Sequence, residues 1–160
     1  MWIFRLLLIA VFLSIYRQDY KDRLVYWFLY LLVGILAFTV QLQYNNFYTA
    51  LSHLVINLGL VLMMLVTCWG YSGLVLKMKF INGTFGSGDV QMLLFLCFTF
   101  SSVSFLVLLV FSLIFSFFLH LFMKNRTTHP TVPLAGYMSI FFAAIYLAAF
   151  FFEPKYLYAY

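Results

Sequence analysis

Residues 90–123 read VQMLLFLCFTFSSVSFLVLLVFSLIFSFFLHLFM, 34 residues without an Asp, Glu, Lys or Arg. As one helix at 1.5 Å per residue the run would be about 51 Å long, far beyond the roughly 30 Å hydrocarbon core of a bilayer. It breaks most naturally at Phe100-Ser101-Ser102-Val103-Ser104, because serine favours caps and turns. This predicts a short helix, about 90–101, followed by a full one, about 104–123.

Working outward, similar apolar stretches cover 2–17, 24–41, 48–76 and 134–152. The first lacks a basic start and a small-residue cleavage site, so it is expected to be a retained span and not a removed signal peptide. Pro130 and Pro133 flank the start of the last span, where proline fits a first helical turn. The expectation is an all-α, polytopic membrane protein with six transmembrane helices in a single domain, 1–160.

Composition agrees. Hydrophobic residues make up 66% of the 160, aromatic residues 22% and charged residues 8%. A soluble domain of this size cannot hide that much apolar surface. A soluble enzyme, a disordered tail and a disulfide-stapled secreted module are therefore excluded. Each remaining charge becomes informative, since ionisable groups in or beside a bilayer are costly.

Seven of the nine basic residues (Arg17, Lys21, Arg23, Lys77, Lys79, Lys124, Arg126) fall in the loops around 17–23, 77–89 and 124–132. With six spans these loops share one side, which the positive-inside rule makes cytoplasmic, and both termini lie on the non-cytoplasmic side. With five, Lys124 and Arg126 would fall on the opposite side. The net charge of +5 then implies anionic lipid headgroups, not nucleic acid, as partners. Lys21 and Arg23 are expected to contact lipid phosphates or, ranked second, to tune the carboxylate of Asp19.

Four acids exist: Asp19, Asp22, Asp89 and Glu153. In this topology the three aspartates all sit at cytoplasmic span ends, so carboxylates from distant parts of the chain can meet at one membrane depth. Asp89 follows Phe85-Gly86-Ser87-Gly88. Glycines there permit positive φ and close backbone approach, such as an extended substrate would need. A helix N-terminus favours ionised Asp89; a second carboxylate nearby would raise one pKa, as in an aspartic-protease pair. Taken alone, Gly-x-Gly-Asp is a turn that occurs by chance, and Asp19 and Asp22 fit a solvated loop paired with Lys21 and Arg23. The coincidence of membrane face, helix ends and scarce acids sets them apart.

At this point the chain resembles the type IV prepilin peptidases, intramembrane aspartic proteases of the Gly-x-Gly-Asp type. The first family motif, Asp-x-Arg/Lys-x-x-x-Ile/Val-Pro, corresponds to Asp19-Tyr-Lys21-Asp-Arg23-Leu-Val25-Tyr26. The second, Gly-x-Gly-Asp-x-Lys, corresponds to Gly86-Ser87-Gly88-Asp89-Val90-Gln91. The late Ile/Val-Pro-x-x-Pro segment corresponds to Val132-Pro133-Leu134-Ala135-Gly136. The chain departs at Tyr26, Gln91 and Gly136. The resemblance implies a catalytic pair of Asp19 and Asp89. Asp22 is the alternative first carboxylate, ranked second because the spacing of Asp19 to Val25 matches the motif. It further implies Gly86, Gly88 and Pro133 as motif or substrate-loop residues and no cofactor. The implied substrate is a prepilin-like protein, cut at the cytoplasmic face of a bacterial or archaeal inner membrane. With no paired Cys-x-x-Cys motifs in its sequence, the chain is expected to resemble a peptidase-only member, without the domain that carries N-methylation in larger members. The competing expectation is a non-catalytic membrane protein: an inactive peptidase relative, a small transporter or an assembly subunit.

The remaining polar residues point elsewhere. Cys68 and Cys97 are isolated in spans and read as packing residues, without disulfide or zinc. His53, His120 and His129 show no metal-ligand spacing, and no Ser–His pair has a recognisable nucleophile setting. Asn57 is expected to bond a neighbouring helix, and Gly34, Gly59, Gly70 and Gly73 to allow close packing. Asn82-Gly-Thr84 and Asn125-Arg-Thr127 match the glycosylation pattern but fall on the cytoplasmic side. Tyr156, Tyr158 and Tyr160 suggest an interfacial belt.

Overall fold

The structure is a computed structural model that describes residues 2–77, 86–123, 132–152 and 155–159. Among these, every regular element is helical: α1 Trp2–Asp22, α2 Trp27–Gln41, α3 Phe47–Tyr71 with a π-helical turn Ser72–Leu76, α4 Ser87–Leu96, α5 Ser102–Met123, α6 Leu134–Ala148 and a final turn α7 Lys155–Tyr158. Two stretches, Phe47–Val75 and Ser102–Met123, are long and apolar enough to cross a membrane. Helices α2, α4 and α6 are apolar but shorter. Lys79, Asn82, Thr84, Phe85, Lys124, Asn125, Arg126, Thr127, His129, Pro130, Glu153 and Tyr160 lie outside the described residues.

Helix α1 packs chiefly against α6 and α2. Its buried residues are Arg5, Leu8, Phe12, Ile15 and Asp19, a 3-4-3-4 spacing that keeps one stripe on the partner helices. Each end of the stripe carries a charge. At its middle Phe12 stacks on Phe142 and Tyr146, and Phe100 stacks on the same two rings. Helix α5 packs on α6, and α4 lies against both α2 and α6. Along α5 and α6 the buried Ser112, Ser116 and Ser139 return their hydroxyls to carbonyls of their own helices, which lets small side chains bring the two backbones close. Outward-facing positions are apolar instead: Val55, Met63, Val66 and Trp69 on α3, and Val110, Phe111, Phe117 and Phe122 on α5, are exposed. An apolar surface this continuous suits hydrocarbon and would drive association in water.

One end of the bundle is locked by polar groups. Arg5 is buried, donates to the Ala149 carbonyl at 3.0 Å and to the Tyr44 hydroxyl, and lies over the Tyr44 and Phe150 rings. A cation at the C-terminus of α6 complements the helix dipole. Asn57 donates to the carbonyls of Cys97 at 3.1 Å and Phe100 at 3.0 Å, which the break after α4 leaves without helical partners.

The sequence boundaries shift in physically informative ways. The charged residues 17–22 belong to the last turns of α1, not to a loop, because Asp19 continues the buried stripe. Helix α4 starts at Ser87, so Asp89 lies within its first turn, and the break falls at turns 97–100 with α5 starting at Ser102. Helix α6 ends at Ala148. Tyr158 is no interfacial residue: it is 3% exposed and stacks on Tyr44 at 4.6 Å, because Ser101 and Asn45 bind the Leu157 and Tyr158 carbonyls and draw α7 onto the bundle.

Candidate active site

The first turn of a helix leaves four backbone N–H groups without helical partners. In α6, Pro133 at the N-cap provides no side-chain cap. The Leu134 amide instead donates to the Val132 carbonyl and the Tyr137 amide to Pro133. The two amides between them reach across the bundle. Ala135 N–H donates to Asp89 Oδ1 at 2.8 Å, and Gly136 N–H to Asp19 Oδ2 at 2.6 Å. Two carboxylates, 70 positions apart in the chain, thus cap one helix through consecutive amides. The bonded path between those oxygens bounds their separation to under about 10 Å, and the parallel direction of helical N–H groups brings them closer.

Each carboxylate is positioned by its own helix. Asp19 is 8% exposed at the end of the α1 stripe. Asp89 also accepts the Gly86 amide through Oδ2 at 3.3 Å, an N-cap bond that fixes its rotamer. The motif glycines act by close approach only: no described glycine has positive φ, and Gly86 has φ −70° and ψ 144°. A Cβ on Gly86 would come to 2.9 Å of Asp89 Oδ2, one on Gly136 to 3.0 Å of Asp19 Oδ2, and one on Gly88 to 2.8 Å of the Tyr30 hydroxyl. The glycines leave room for functional oxygens.

Burial pushes the Asp89 carboxyl from its ordinary 3.8 up to about 6, and the charge of Asp19 adds to the rise. The Ala135 and Gly86 amides and Arg23 pull the other way. Burial likewise raises Asp19 against the Gly136 amide and Arg23. Two adjacent, desolvated carboxylates hold one proton more readily than none, and that proton belongs to the pair. Arg23, whose φ of 55° ends α1 in a left-handed turn, acts electrostatically on both carboxylates, as the second-ranked expectation for it has it. Asp22 and Lys21 are exposed.

At the two positions where the chain departs from a proline that the resemblance implies, it uses the N–H that proline lacks. Tyr26 N–H donates to Gln18 Oε1 at 3.2 Å, tying the 23–26 turn to α1, and Gly136 N–H holds Asp19.

Sequence reading missed Tyr30, whose ring is fully buried and whose hydroxyl has no hydrogen-bond partner. Nothing distinguishes it in an apolar span of a chain with 12 tyrosines. It also missed a Ser–His contact: Ser102 Oγ lies 3.0 Å from His53 Nδ1. The Ser102 amide donates to the same nitrogen at 3.3 Å, so His53 serves as a cap for α5. Both cysteines are free, Cys97 buried and Cys68 half-buried. Among the described residues no three His, Cys, Asp or Glu side chains group together.

No protein-family model matches the chain, and no curated protein and no solved structure matches it.

Proposed function

We propose that the chain is an intramembrane aspartic endopeptidase in which Asp19 and Asp89 form the catalytic pair, and that it cleaves the leader of a prepilin-like protein. The observation that carries this reading is the convergence of the buried Asp19 and half-buried Asp89 carboxylates on the Gly136 and Ala135 amides. One ionised aspartate takes a proton from water; the other, protonated, hydrogen-bonds the scissile carbonyl. Asp89 titrating near 6 suits such work near neutral pH. Six spans, with both termini on the non-cytoplasmic side of a bacterial or archaeal inner membrane, would put the pair at the cytoplasmic face, beside most of the basic residues. The reading needs no cofactor and no methyltransferase domain, and lipid and the protein substrate are its partners.

A second reading rests on the same bonds. Both carboxylates satisfy orphan amides of α6, so they could serve only to staple α1 and α4 to that helix in a non-catalytic membrane protein. Co-expression with a prepilin-like substrate separates the two. Under the enzyme reading Asp19→Asn and Asp89→Asn each abolish leader removal while Asp22→Asn retains it; under the staple reading wild type removes no leader.

A further inference from the structure

Tyr30 belongs to the second helix, yet its hydroxyl lies against the backbone of Gly88, the residue that precedes Asp89. Gly88 has no side chain to occupy that space; a Cβ would meet the hydroxyl at 2.8 Å. Both Asp19 and Asp89 act electrostatically on the phenol. The side chain is 0% exposed, and among the described residues its hydroxyl has no hydrogen-bond partner. A buried O–H donor left unused is costly to a fold. One within electrostatic reach of two carboxylates that already accept backbone amides has its donor free for an incoming oxygen.

We propose that Tyr30 is a third catalytic group of this site, donating a hydrogen bond from its hydroxyl to the oxyanion of the tetrahedral intermediate. The inference rests on the dyad reading under Proposed function. Water adds to the scissile carbon as its proton passes to the ionised aspartate. The carbonyl π pair moves onto oxygen, where the protonated aspartate and the Tyr30 O–H meet it. The C–N bond then breaks, the carbonyl re-forms, and the proton taken from water goes to the leaving amine. Tyr30 keeps its own proton throughout. A fixed donor aimed where negative charge develops lowers the barrier without strengthening ground-state binding, so its loss falls on kcat. Gly88, the second glycine of the motif, is what admits the phenol.

The test uses full-length protein reconstituted in vesicles with a prepilin-like substrate. Tyr30→Phe keeps the ring and removes only the oxygen. It should lower kcat about 100-fold, leave KM within about twofold, and leave the thermal midpoint unchanged or higher, since the lost hydroxyl had no partner. Undiminished kcat for Tyr30→Phe, alongside inactive Asp89→Asn, overturns the role of Tyr30 and leaves the dyad standing. A loss of rate that comes with a lowered thermal midpoint also overturns it, because it marks a structural role. Full activity of either Asp19→Asn or Asp89→Asn overturns the dyad and this inference together.

Discussion

Gly136→Ala places a methyl group at a close approach of α1 to α6. The added Cβ would lie 3.0 Å from Asp19 Oδ2, 3.2 Å from Asp19 Cβ and 3.5 Å from its Cγ. Carbon atoms in good contact stand about 3.5–4.0 Å apart. Asp19 Cβ is fixed to the α1 backbone, so the side chain cannot simply swing clear. The 2.6 Å bond from the Gly136 amide must lengthen or break. A hydrogen bond to a charged group contributes about 1.5–3 kcal/mol, and overpacking costs about 1–3 kcal/mol. Replacing glycine inside a helix returns about 0.5–1 kcal/mol. The balance is a destabilisation of about 1.5–5.5 kcal/mol. Gly59→Ala and Gly70→Ala are internal controls, because a Cβ at either meets nothing within 4 Å; both should be neutral or slightly stabilised. Thermal unfolding in detergent, followed by the fluorescence of the three tryptophans, measures all three variants. Gly136→Ala as stable as the two controls would refute the close approach of Asp19 to α6.

Two further outcomes are expected of the same molecule. Asp89 titrates near 6 in the fold against 3.8 ordinarily, so between those values the folded state binds more protons than the unfolded one. Its stabilising contribution is therefore complete below about pH 4 and lost as pH rises through 6. Stability should fall by about 3 kcal/mol across that window and level off above about pH 7; denaturant titrations at stepped pH measure it, with Asp89→Asn flattening the slope. Asn57→Leu leaves the Cys97 and Phe100 carbonyls without the donors they now have; it should lower stability by about 1–3 kcal/mol in the same unfolding assay.

Much of the helix plan was legible because length and hydropathy decide it. The uncharged run 90–123 is too long for one span, and it divides just ahead of its serines, with α4 and α5 on either side of turns at 97–100. Charge misled at the end of α1. Residues 17–22 look like a loop by polarity, yet a helix leaving an apolar slab can carry charge on its last turns, and these do. Which of Asp19 and Asp22 faces the bundle was legible in the helical spacing. Arg5, Leu8, Phe12, Ile15 and Asp19 form the buried stripe, and Asp22 falls outside it. The partner of the carboxylates was not legible. They are held by backbone amides of Ala135 and Gly136, and an amide leaves no trace in a side-chain pattern. Tyr30 was hidden for the converse reason: its placement depends on the space left by Gly88, a contact between distant segments.

The most direct test takes purified protein in lipid vesicles, a prepilin-like substrate, and the masses of the products. Wild type should release a leader peptide cut on the cytoplasmic side of the substrate's hydrophobic helix, and Asp19→Asn and Asp89→Asn should each release none. Release of that peptide at the wild-type rate by either variant would contradict the catalytic pair.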